Sequence, residues 1–282
     1  MDLSTSDNNA TFYCRYAPHV SFENSGGKAY HLIIGLVTVM ASLPTILLNG
    51  SVILAIKQRK ELQRPSNILL SSLAVTDLLV GVIVMPTSAI IDFFTLHQVS
   101  FEYICMLYAV DLFFLPLLLT ATLHHLTVVA WERYVAVQKL MNYKLIITNG
   151  RLKKIAMATW LSALFPSLAN FIMIVVVVDH RILNRVFTGW AAVETVCLFL
   201  ITFFYRKVYL AIRNRKLNEI SQIDVLIRAK LESKVAKTTG LFTAAIISSF
   251  VPMIVTGILR NVMPVYRTVI ETAALRTLFA NC

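Results

Sequence analysis

Long apolar stretches bounded by basic clusters recur along this chain, and they predict a series of membrane-spanning helices. Leu32 to Ile56 contains no Asp, Glu, Lys or Arg and ends on Lys57, Arg59 and Lys60, which places a first span over 32–56. A second is expected over 67–91, interrupted by Asp77, and a third over 103–138, where Asp111 is the only charged residue before Glu132. The fourth covers 155–178, with Trp160 and Pro166. The fifth covers 186–213, carries Glu194 and runs on into a basic stretch from Arg206 to Lys216. A sixth over 235–259 contains Pro252, where a kink is expected. A seventh, 266–282, contains Glu271 and Arg276 and stops with the chain, short of the roughly 20 residues a bilayer requires. The expected architecture is an all-α membrane protein. It has a polar tail over 1–30 and a seven-transmembrane helix bundle over 31–282 whose seventh helix is incomplete.

Charge orients this bundle. The basic residues concentrate at Lys57 to Arg64, Lys139 to Lys154 and Arg206 to Lys237, on alternate connections, which makes those connections cytoplasmic and the N-terminus external. The excess of 11 positive charges would suggest nucleic acid in a soluble chain; with 57% hydrophobic residues and a mean hydropathy of +0.70 it suggests a lipid bilayer and no nucleic-acid partner. Asn9-Ala10-Thr11 is a glycosylation sequon on the external tail. The four cysteines, Cys14, Cys105, Cys197 and Cys282, have no metal-ligand spacing, and adjacent His124 and His125 point in different directions along a helix. No unit of 20 to 50 residues repeats, and no pair of broken helices marks a transporter.

The candidate chemistry lies at the inner mouth of the third span, where Trp131-Glu132-Arg133-Tyr134 follows about thirty residues with a single charge. An Arg at such a mouth can pair with either of two acids, so its choice can report how the bundle is packed. The alternative is a Glu-Arg pair that merely ends a span in the interfacial region. Asp77 is costly within the membrane and calls for water, a partner or a proton.

Taken together, Asn49, Leu73-Ala74-Val75-Thr76-Asp77, Glu132-Arg133-Tyr134, Trp160 and Pro252, in this order and spacing, resemble the rhodopsin-like G-protein-coupled receptors. The resemblance implies a plasma-membrane receptor that transmits binding of an extracellular ligand to a heterotrimeric G protein by outward movement of the sixth helix. In the resting state it implies that Arg133 pairs with Glu132 and with Glu232, and that Tyr205 supports the open state. It implies an allosteric sodium ion at Asp77, supported by Asn49 and Thr122, with a protonated, hydrogen-bonded Asp77 as the alternative.

Several positions depart from that pattern. Phe250 stands in Ser249-Phe250-Val251-Pro252 where a tryptophan is usual, so Phe250 and Pro252 form the expected sixth-helix hinge. The fifth span has no proline, and no cysteine lies between the fourth and fifth spans. Those two absences resemble the melanocortin and adenosine neighbourhood of the family. They leave either a Cys14 to Cys105 disulfide or two free thiols. The position eighteen residues before Arg133, an Asp in amine receptors, is Leu115, which leaves Asp111 and Glu194 as candidate ligand contacts. The absent end of the seventh helix suggests an incomplete record of a longer receptor, or a truncated product with little signalling. A transporter or channel lined by Asp77, Asp111 and Glu194 is the competing class. No catalytic motif of a hydrolase is present.

Overall fold

The computed structural model describes residues 25–62, 64–97, 101–138, 142–176 and 180–217, and these are almost wholly helical. Helix α1 spans Ser25–Gln58; α2, Pro65–Leu79, passes through a π-helical turn at Val80–Val84 into α3, Met85–Leu96. Then follow α4, Phe101–Gln138; the short α5, Tyr143–Ile146; α6, Asn149–Val176; and α7, His180–Leu217. Hydrocarbon offers backbone groups no partner, so these sequences close their hydrogen bonds within each helix. Among the described residues, four stretches are long and apolar enough to cross a bilayer: His31–Gln58, Pro65–Leu96, Met106–Gln138 and Asn149–Met173. Helix α7 packs chiefly along α4, while α2 and α6 cover other sides of α4 and α1 packs on α2 and α3.

Each long helix begins before its expected span, because the chain takes up helical bonding already in the interfacial region. The second span runs on to Leu96, past its expected end at 91, so Asp92 lies on α3, where its Oδ1 is 2.6 Å from His31 Nδ1 of α1. The fifth is one continuous helix through Cys197, consistent with its lack of proline. The expected sixth and seventh spans, with Glu232, Phe250 and Pro252, lie outside the described residues, as do Asn9 and Cys14. Cys105 lies on α4 in a turn whose side chains are not described, so its pairing lies outside them too.

On α1 apolar Leu36, Met40, Leu43 and Leu47 are exposed, whereas Thr38 and Ser42 are buried beside Ile34. In lipid, small residues at the helix interface let backbones approach, and their hydroxyls bond across helices. The π turn shows the result. Met85 N–H bonds to the Val80 carbonyl, five residues back. Pro86 has no N–H for the next carbonyl in that register, Gly81, and Ser42 Oγ donates to it at 2.9 Å. Gly81 is required by this approach, since a Cβ there would lie 2.9 Å from Ile46 Cγ1 and 3.3 Å from Thr45 Cγ2.

Gly81→Ala is therefore expected to destabilise the protein by about 1–3 kcal/mol through overpacking. Gly50→Ala, whose added methyl meets nothing within 4 Å, should be neutral or slightly stabilising through helix propensity. Thermal unfolding of the two variants in the same detergent checks this contrast.

Candidate functional site

The inner end of α4 is assembled by four elements. Leu69 of α2, Val129 and Val135 of α4, Ile147 after α5, and Leu152 and Ala156 of α6 form one buried cluster, with Tyr134, Tyr143 and Ile146 packed against it. The loop after α4 is pinned by this burial and by Arg151 of α6, whose Nη1 donates to the Leu145 and Ile146 carbonyls at 2.9 and 3.2 Å. These are carbonyls that the short α5 leaves without a helical donor. The pinning presents Tyr143 to α4.

Glu132 is 1% exposed and its two oxygens are used differently. Arg133 Nε lies 3.0 Å from Oε2, and the Tyr143 hydroxyl donates to Oε1 at 2.5 Å. A buried carboxylate is costly unless paired and hydrogen-bonded, and here both conditions hold. Arg133 keeps a 16% exposed side chain and so reaches the cytoplasmic face. Tyr134 turns the other way: its ring packs on Phe204 of α7 at 5.8 Å, and it borders the contact between Val137 and Val208. One turn outward on α7, Tyr205 packs on the cluster of Leu123, Leu126 and Ala130 with Ile201. The structure thus brings Glu132, Arg133, Tyr134 and Tyr205 to one end of the α4–α7 pair. Tyr143 was missed in the sequence; its only signal was a tyrosine in the basic connection, eleven residues past Glu132.

The mid-membrane polar residues are distributed differently. Asn49 Nδ2 donates to the Thr45 carbonyl of its own helix at 3.0 Å, and Thr122 Oγ1 reaches Thr76 Oγ1 at 3.4 Å. Asp77 makes no hydrogen bond or ion pair among the described residues, so the three expected members of that core are not joined directly. Asp111 accepts from Ser88 Oγ of α3 at 3.1 Å. Glu194 is 1% exposed, and neither carboxylate oxygen has a partner among the described residues. One turn outward, Trp190 Nε1 donates to Thr120 Oγ1 at 2.8 Å and holds α7 on α4. Asp111 and Glu194 do not touch each other. Among the described residues no cluster of His, Cys, Asp and Glu is arranged to hold a metal ion.

His125 proves to be the polar centre of the bundle. It is fully buried, and its Nδ1–H donates to the Ala121 carbonyl at 2.7 Å, which leaves Nε2 as the acceptor. Ser72 Oγ of α2 donates to Nε2 at 2.7 Å and itself accepts Trp160 Nε1–H of α6 at 3.1 Å. Thr159 Oγ1 lies 3.0 Å from the same nitrogen. His124 points elsewhere and bonds to Ser162 Oγ at 2.8 Å.

A family model described as "7 transmembrane receptor (rhodopsin family)" matches residues 48–282. Among similar proteins are the 5-hydroxytryptamine receptor 1B of Vulpes vulpes, 30% identical over 70% of this chain and 52% of that receptor, and the 5-hydroxytryptamine receptor 1E of Homo sapiens, 34% identical over 49% and 36%. The trace amine-associated receptor 13c of Danio rerio is 33% identical over 59% of this chain and 48% of that receptor. The chain spans about half the length, or less, of these curated relatives. They overturn the expected placement beside melanocortin and adenosine receptors. That placement rested on two absences, a proline and a cysteine, whereas these similarities rest on residues present.

Replacing His125 should expose the weight of its node. His125→Ala is expected to cost about 2–5 kcal/mol, through a cavity and a stranded Ser72–Trp160 pair, and Ser72→Ala about 1 kcal/mol. Thermal unfolding in detergent measures both.

Proposed function

Because the chain belongs to the rhodopsin family of seven-transmembrane receptors, we propose that it acts as a receptor of the plasma membrane, passing the binding of an extracellular ligand to a heterotrimeric G protein. Membership in that family also sets it among receptors rather than enzymes, and the transporter or channel reading is not favoured. The observation that carries the reading is the Glu132–Arg133 pair clamped by Tyr143 at the cytoplasmic end of α4. In this reading the pair is the resting arrangement. Agonist binding favours a state in which the sixth helix has moved outward and Arg133 meets the G protein, with Glu232 restraining and Tyr205 supporting it. A ligand can shift this equilibrium only by its differential affinity for the two states, so the resting bias is of a few kcal/mol.

The relatives are named for amines, yet Leu115 occupies the position expected of an amine-binding Asp. A cationic ligand therefore needs a different carboxylate. Asp111 already has Ser88 as a donor, whereas Glu194 is buried with both oxygens unpartnered among the described residues, a state a bound cation would relieve. Glu194 is the favoured anchor and Asp111 the second. A sodium ion at Asp77 fits a carboxylate without a partner among the described residues. Thr122 approaches from α4 through Thr76, and Asn49, turned onto its own helix, does not contribute in this arrangement.

Nucleotide exchange on a co-expressed G protein, in membranes challenged with a panel of aliphatic and aromatic amines, tests the reading. Arg133→Gln should abolish agonist-dependent exchange at unchanged surface delivery. Tyr143→Phe should raise basal exchange between about two- and tenfold, since it removes one hydrogen bond to a charged group. Glu194→Gln should weaken amine potency tenfold or more, by the loss of a buried ion pair, and Asp111→Asn less. Equal potency in wild type and Glu194→Gln would remove Glu194 as the anchor.

A further inference from the structure

From Leu161 to Met173 the buried residues of α6 are Ala163, Ser167 and Asn170, spaced four and three positions apart and so on one face of the helix. Leu164, Phe165 and Leu168 between them are exposed, as lipid-facing side chains are. The buried stripe is the seam with α4. Ala163 packs on Leu117 and Ala121, with Phe113 and Phe114 beside them, and Phe113 meets the ring of Phe171 edge-on at 5.6 Å. Two of the three positions that α6 turns inward here are therefore polar.

Both polar members of the stripe are unspent. Ser167 is 2% and Asn170 6% exposed, yet neither Ser167 Oγ nor Asn170 Oδ1 has a hydrogen-bond partner among the described residues. Other hydroxyls of α6 return to their own backbone, Thr159 to the Ala156 carbonyl and Ser162 to that of Thr159. Leaving a hydroxyl and an amide oxygen bare in hydrocarbon is costly, and a group that reaches both relieves it. The neighbouring stretch of α7 supplies none: over 189–193 the one polar side-chain atom is Trp190 Nε1, which bonds Thr120.

We propose that Ser167 and Asn170 form a subsite for the phenolic hydroxyl of an aromatic amine; this rests on the amine-receptor reading above, in which Glu194 takes the ammonium. The pair selects a hydroxyl by its chemistry. Asn170 Oδ1 only accepts and the Ser167 hydroxyl has a proton to donate, so the group between them must both donate and accept. An ether oxygen leaves Asn170 Oδ1 bare, and an ammonium leaves the Ser167 proton without an acceptor. Residues three apart on a helix hold their Cβ atoms roughly 5–6 Å apart, a gap that one oxygen atom bridges. The rings of Phe113, Phe114 and Phe171 offer the ligand's ring edge-to-face partners at the rim of the seam. Both ends of such a ligand address the same part of α4, since Leu117 and Ala121 meet α6 where Thr120 holds Trp190, one turn from Glu194.

Three probes separate this subsite from the Glu194 anchor: tyramine carries both the hydroxyl and the amine, phenethylamine only the amine, and para-ethylphenol only the hydroxyl. Their affinities are read from the concentration dependence of thermal unfolding of the purified full chain, which requires no G protein. Wild type is expected to bind tyramine about tenfold or more tightly than phenethylamine. Ser167→Ala and Asn170→Leu should each erase most of that ratio, weakening tyramine and para-ethylphenol and leaving phenethylamine unchanged. Glu194→Gln should do the converse, weakening both amines and sparing para-ethylphenol. Phenol binding that depends on Asn170, with no probe responding to Glu194→Gln, upholds the subsite and removes the anchor. Tyramine and phenethylamine binding alike, both still weakened by Glu194→Gln, overturns the subsite and leaves the anchor standing. Equal weakening of all three probes in Ser167→Ala and Asn170→Leu would reduce the pair to a structural role and overturn the proposal, as would a wild type that none of the probes stabilises.

Discussion

Every polar side chain carried into hydrocarbon must find its partner inside the protein, and the fully buried His125 is where this requirement binds the bundle together. One ring engages α2 through Ser72 and faces Thr159 of α6, while Trp160 closes the circuit from α6 to Ser72. The Ala121 carbonyl sets the tautomer, so the circuit has one direction: Trp160 donates to Ser72, Ser72 to His125, and His125 to its own helix. Aliphatic contacts contribute packing but little selectivity in a solvent as apolar as they are. A directional hydrogen-bonded joint distinguishes one rotation of α4 from another.

That rotation matters eight residues further in. Because α4 runs on beyond Pro116 without a further proline to Gln138, fixing its face at His125 also fixes the face at Arg133. Glu132 then points into the protein toward Tyr143, and Arg133 reaches the cytoplasmic rim. Residues that differ by one position on a helix face about 100° apart, so a charged pair adjacent in sequence divides into one buried and one accessible member.

Against this satisfied frame, the groups left unsatisfied stand out. Among the described residues, the carboxyl group of Glu194 is buried without a partner and Asp77 makes no bond. Both are held by neighbours that are themselves well fixed, Glu194 between the Trp190–Thr120 bond and the cluster around Cys197 and Ile201. The fold meets its hydrogen-bonding requirement at His125, Glu132 and Ser42, and among the described residues leaves it open at Glu194 and Asp77, as it does at Ser167 Oγ and Asn170 Oδ1.

Hydropathy alone determined the apolar helices among the described residues and their order, because the cost of placing polar backbone or charge in lipid is large and local to the sequence. The Glu132-Arg133-Tyr134 motif was legible for the same reason: a charged pair ending a long apolar run has nowhere else to lie. What only the tertiary structure decided was which face of each helix turns inward. On α1 most apolar residues face out while Thr38 and Ser42 face in beside Ile34, the reverse of a soluble helix, and no periodicity of hydrophobic positions announces it. Tyr143, Ser72 and His125 acquire their roles only when residues 11, 53 and 34 positions apart in the chain are brought together. Such pairings depend on the rotation and height of rigid helices, quantities to which no single segment of the chain has access.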